Sequence, residues 1–157
     1  MKRTIMLAGL VAVCTATVLA AAAYASGSAA SATGCVAGVK KINGVSARTF
    51  CGPAKATVKM NGKTITYKGG ECSKSIGLFA VNIGTVVLGN LKNKPEYFGL
   101  TANAKAGTQL RQGVAVVHAG KSQAIIGTVK IKAGLKAGTF SGTVFGSSKV
   151  ISGSFSC

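Results

Sequence analysis

From residue 35 onward, apolar and polar side chains alternate with a period of two, and Gly, Ser and Asn break the alternation about every ten residues. That rhythm predicts short antiparallel strands, each with one face turned to a core and the other to solvent. The sharpest stretch is residues 55–68, KATVKMNGKTITYK, with Asn61-Gly62 at its centre. Both central residues of a type I′ turn need φ > 0, which Asn and Gly tolerate best, so this pair predicts a two-residue hairpin. The register follows. Met60 faces Lys63, Val58 faces Ile65 and Ala56 faces Tyr67, while Lys59 faces Thr64, Thr57 faces Thr66 and Lys55 faces Lys68.

The end of the chain folds back in the same way about Ser147-Ser148, with a loop over residues 146–149. The expected pairs are Phe140 with Phe155, Gly142 with Gly153 and Val144 with Ile151. Between the two hairpins, strands are expected in residues 75–89 and 97–101, followed by a polar connection over residues 101–113. A further hairpin over residues 114–131 turns at Ala119-Gly120-Lys121, and no stretch carries a helical stripe. About seven or eight short strands make an all-β domain, read as an antiparallel β-sandwich with a flattened barrel as the alternative. The sequence contains no Trp, which argues against an immunoglobulin domain.

The amino-terminal residues obey a different pattern. Met1-Lys2-Arg3 is a short positive segment, residues 4–23 carry no charge, and Ala23-Tyr24-Ala25 is a small-x-small cleavage site. Residues 1–25 therefore read as a secretory signal peptide, with an uncleaved anchor as the rival. Residues 26–34 are a flexible linker of small residues, and residues 35–157 a single β domain. A lipid anchor would need a Cys next to the apolar run; Cys14 lies inside it and Cys35, after Ala32-Thr33-Gly34, well beyond it, so lipidation at Cys35 is the minority reading.

Removal of Cys14 with the leader leaves Cys35, Cys51, Cys72 and Cys157, an even set in an oxidising compartment, where disulfides are expected. Three pairings are open. The separations favour a local bridge, Cys35 with Cys51, and a long one, Cys72 with Cys157. Zinc is disfavoured, because there is one His and no CxxC pair.

Charge narrows the function. The chain has 19 Lys and Arg against 2 acids, Glu71 and Glu96, and no Asp. A catalytic triad could be assembled only from His118 and one of the two glutamates, and His118, at the end of an apolar run, reads as a strand-end residue. No catalytic residue and no metal ligand is expected. Neither GxGxxG nor GxxxxGK[ST] occurs, so no nucleotide or other small-molecule cofactor is expected.

Taking Lys2 and Arg3 from the 19 cations, and then the two acids, leaves a mature net charge of +15, which attracts polyanions over long range. The mature cations are lysines except Arg48 and Arg111, whereas sequence-specific readers of nucleic acid concentrate Arg. For an exported protein the partners that charge and compartment agree on are anionic envelope lipids or wall polymers. The one interleaving of basic and aromatic residues, Lys92, Lys94, Tyr97 and Phe98, is the candidate binding loop. The expected function is a non-enzymatic binding protein of the cell envelope or the secreted space. The alternative is a structural surface domain whose charge serves solubility alone.

Residues 58–63, VKMNGK, lead to Cys72, then Val81-Asn82-Ile83-Gly84 and Val87-Leu88-Gly89. Later come residues 138–144, GTFSGTV, and an alternating strand over residues 150–155 before the terminal Cys157. Over roughly the last two thirds of the chain this order resembles the mycobacterial lipoprotein antigen family, small exported envelope proteins of actinobacteria. The resemblance implies that Cys72 and Cys157 are partners, leaving Cys35 with Cys51, and that the protein is a surface or secreted antigen-like binding module. The chain departs from the family in lacking a lipobox Cys beside its leader, in its strongly cationic composition, and in the piece over residues 35–53.

Overall fold

The structure, a computed structural model, describes residues 34–157; the signal peptide expected at 1–25 and the expected linker, up to residue 33, lie outside the described residues. Ten strands follow one another: β1 (Gly38–Ile42), β2 (Val45–Phe50), β3 (Ala54–Met60), β4 (Lys63–Ser75), β5 (Leu78–Val87), β6 (Tyr97–Asn103), β7 (Gly107–His118), β8 (Lys121–Ile131), β9 (Ala137–Val144) and β10 (Val150–Ser156). A 3-10 turn, Ala133–Leu135, joins β8 to β9.

Every pairing is antiparallel. From β3 to β10 each strand bonds to the next, and β10 bonds back to β3, with Phe155 opposite Ala56. The result is a closed eight-stranded up-and-down barrel. This corrects the preference for a sandwich: the ladder from β3 to β10 is continuous and its two ends pair with each other, whereas a sandwich divides into two sheets. Closure also removes the edges that an open meander would expose.

Alternation decides which side chains enter the barrel. Val58, Tyr67, Val81, Phe98, Ile125 and Ile151 are among the buried residues, one from each of six strands. With eight strands the interior is just wide enough for side chains to fill it. Aromatic rings from non-adjacent strands meet inside the barrel: Phe98 and Phe140 have centroids 5.4 Å apart, Tyr67 and Phe98 6.0 Å, and Phe79 and Phe155 5.8 Å. At the β6–β7 turn the buried Gln109 has its polar atoms satisfied. Its Oε1 accepts the Asn103 N–H at 2.8 Å, and its Nε2 donates to the carbonyls of Asn103 and Lys105.

The β3–β4 hairpin has the register read from its sequence, Met60 opposite Lys63 through Lys55 opposite Lys68, with Asn61 at φ 50° and Gly62 at 73°. The β9–β10 register differs by two residues. Phe140 faces Gly153, Phe155 faces Gly138 and Ile151 faces Gly142. A shift of two leaves every side chain on its expected face, and it sets each Phe ring over a glycine, where the missing Cβ makes room for it. The polar connection expected over residues 101–113 is largely strand, since β6 runs to Asn103 and β7 begins at Gly107.

Residues 35–53, within the β domain but without an individually placed strand, form the β1–β2 hairpin. β4 pairs with β5 from Ser75 opposite Leu78 to Gly70 opposite Ile83, and β2 takes over alongside β5 from Phe50 opposite Gly84 to Ala47 opposite Val87. The hairpin thus extends the barrel wall where β4 has turned away. Four of the five β1 residues are exposed, which is why no alternation announces the strand.

Candidate functional site

Two disulfides brace the structure. Cys35–Cys51, with Cα atoms 5.9 Å apart, closes the β1–β2 hairpin at its base. Cys72–Cys157, with Cα atoms 5.6 Å apart, joins β4 to the residue after β10. β3 begins at Ala54, opposite Gly70, so beyond that point β4 and β10 have lost the strand between them. The second bridge spans that gap, and disulfides of this kind persist in oxidising compartments.

The candidate binding loop does not hold together as a surface. Phe98 is fully buried in the barrel and its ring packs on Tyr67 and Phe140. Tyr97 points outward but is covered by the Phe50 ring 6.2 Å away, and its hydroxyl donates to Asn82 Oδ1 at 2.7 Å. Burial raises the Tyr97 phenol pKa. Arg48 stacks its guanidinium 5.0 Å over Phe50 and approaches Glu71 at 3.9 Å. Phe98 is therefore part of the core, and Tyr97 packs the β2 flap to the wall. Lys92 is exposed in the loop before β6, and Lys94 is half-buried and bridges to Gly120, pinning that loop to the β7–β8 turn.

That same pinning brings together two residues with nothing in their spacing to link them. Glu96 Oε2 lies 2.9 Å from His118 Nδ1, and its Oε1 accepts the Ala119 N–H at 2.8 Å. A carboxylate on one ring nitrogen orients an imidazole, the arrangement that supports a general base. Nucleophilic catalysis also needs a hydroxyl or thiol bonded to the ring, and among the described residues the hydrogen bond of this ring runs to Glu96. Nearby, Tyr67 donates its hydroxyl to the Val117 carbonyl at 3.1 Å. Among the described residues no group of three His, Cys, Asp or Glu side chains could hold a metal ion, and no helix is long and apolar enough to cross a membrane.

With Glu71 beside Arg48 and Glu96 beside His118, both acids are engaged away from the lysines. Among the described residues no lysine forms a salt bridge, and all except Lys94 are exposed. The outer wall of β3, β10, β9, β8 and β7 is dished into an open groove of about 550 Å³. Across it run outward Ser and Thr residues, with Lys59 on one flank and Lys130 on the other. Of these, Thr57 and Lys59 lay on the polar face of their hairpin in the sequence, whereas Thr108 fell in the expected polar connection. Their assembly into one groove depends on β10 pairing with β3 and β9, which no local pattern specifies. No protein-family model, no curated protein and no solved structure matches the chain.

Proposed function

We propose that this is an exported, non-enzymatic binding protein of the cell envelope or secreted space whose lysine-rich surface associates with anionic envelope material. One observation carries the reading: the two acids are occupied by Arg48 and His118, so the lysines face solvent with their charge uncompensated. The secretory pattern of residues 1–25 and the two disulfides support the compartment. The likeness to mycobacterial lipoprotein antigens belongs to the same reading. It needs no cofactor and no specific nucleic acid.

Sedimentation with anionic vesicles and with purified wall polymer tests it. Binding is expected at about 0.05 M salt and lost by about 0.5 M, because the Debye length shrinks from more than 10 Å to about 4 Å. Weak association that ignores salt would overturn the proposal. Intact mass of the protein from its native host is expected to begin near Ser26 and to show no free thiol among the four remaining cysteines. Loss of a hydrolytic activity on His118→Ala would instead make the protein an enzyme.

The second reading, charge for solubility alone, draws on the spread of the lysines over β1, β3, β4, β8 and the loops. Reversal of several lysines without a change in localisation would favour it.

A further inference from the structure

We infer that the outer groove on β3, β10, β9, β8 and β7 binds an acidic glycan, a linear chain of sugar hydroxyls carrying carboxylate or phosphate groups. The inference rests on the proposed association with anionic material and adds the place and chemistry of contact. Cross-strand register lines up two outward rows. In one, Thr57, Ser154, Thr139, Lys130 and Thr108 are successive partners on the five strands. In the next, one step along, the partners are Lys59, Ser152, Ser141 and Thr128. Every outward side chain in these rows is a hydroxyl or an ammonium.

That chemistry selects the ligand class. A Ser or Thr hydroxyl both donates and accepts and rotates to suit, which matches the hydroxyls of a sugar; Lys offers three donors and a point charge for an anion. Glu71 lies on β4 and Glu96 before β6, so neither carboxylate sits in the rows to repel an anion. Neighbouring strands are about 4.8 Å apart and same-face residues about 6.8 Å apart along a strand. Lys59 and Lys130 stand three strands and one step apart, which places their Cα atoms about 16 Å from each other. A chain of several sugars lying along the rows meets both lysines and the hydroxyls between them, so the inferred ligand is a polymer. A bilayer fits less well, because the groove is recessed and the side-chain ends in its rows are hydroxyls and ammoniums. The exposed apolar side chains Phe145 and Val150 sit at the β9–β10 turn, with Ile126 beside them on β8, off the two rows.

Calorimetric titration of the disulfide-bonded protein would use oligogalacturonate long enough to span both lysines, galacturonate monomer, polyglycerol phosphate and phosphatidylglycerol vesicles. Binding of either polymer, with none of the monomer, is expected; which polymer binds separates a carboxylate source from a phosphate one. Lys59→Gln with Lys130→Gln should weaken polymer binding about tenfold, about 1.4 kcal/mol. The equal loss of charge in Lys40→Gln with Lys41→Gln on β1 should change it less than about twofold. Thr57→Val with Thr139→Val keeps the charge and the branched β-carbon, and should still weaken binding several-fold. Equal losses in both lysine pairs would overturn the groove and leave the lysine surface in place. Binding to vesicles alone would also overturn it, in favour of a lipid partner, and binding to none of the probes would remove both readings.

Discussion

At the scale of single residues, two glycines that face the barrel interior leave no room for a side chain. A Cβ on Gly153 would run into the Thr57 carbonyl oxygen and stand 2.7 Å from the Phe140 ring, and one on Gly138 would stand 2.5 Å from both the Lys130 carbonyl and the Phe155 ring. Overpacking a well-filled core costs about 1–3 kcal/mol, so Gly153→Ala is expected to lose about 2–3 kcal/mol by urea unfolding, against a few tenths at the open, outward Gly113. Tyr67 acts through its proton. Burial raises its phenol pKa, the Glu96 carboxylate adds to the rise, and burial raises Tyr97 as well. Above the ordinary phenol value of about 10 the unfolded chain loses these protons before the folded one does, so stability is full below that pH and falls as pH rises past it. Tyr67→Phe should cost about 1 kcal/mol at neutral pH through the lost bond to Val117, and flatten the alkaline decline. A decline as steep as in the parent would show that Tyr67 is not its source.

Among the elements, the β3–β4 hairpin was legible to the residue because its determinants are local: two turn residues that accept φ > 0 and a face pattern that allows one register. The β9–β10 hairpin has no such turn pair. Its register is decided by how rings fit over glycines inside the barrel, so a reading that matched Phe with Phe missed it by two. β1 was invisible because its side chains face solvent on both sides. The two disulfides act on different elements and should separate experimentally. Cys35→Ala with Cys51→Ala opens the β1–β2 hairpin, so its amides should lose exchange protection while those of β3–β10 keep theirs. Cys72→Ala with Cys157→Ala releases a closure spanning 85 residues and should lower global stability by about 4–5 kcal/mol in denaturant titration. Equal, global losses in the two variants would contradict the division of labour.

For the whole molecule, the closed wall and the segregation of charge belong together: the apolar half of each strand fills the barrel and the polar half, with its lysines, becomes a continuous outer surface. Much of this was readable directly from the residues. Alternation with a period of two required strands, their faces named the core, and two acids against 19 cations set the sign of the surface, because each of these depends on residue type and near neighbours alone. What stayed hidden depends on contacts distant in the chain. Whether the meander closed or split into two sheets turned on β10 meeting β3, about 95 residues away, and both outcomes satisfy the same alternation. The fold put Phe98 in the core and set Phe50 of β2 over Tyr97. The β6–β7 register brought His118 to Glu96, and closure gathered hydroxyls and lysines from five strands into one groove. Local chemistry sorts side chains into inside and outside; only the folded sheet decides which outward residues become neighbours.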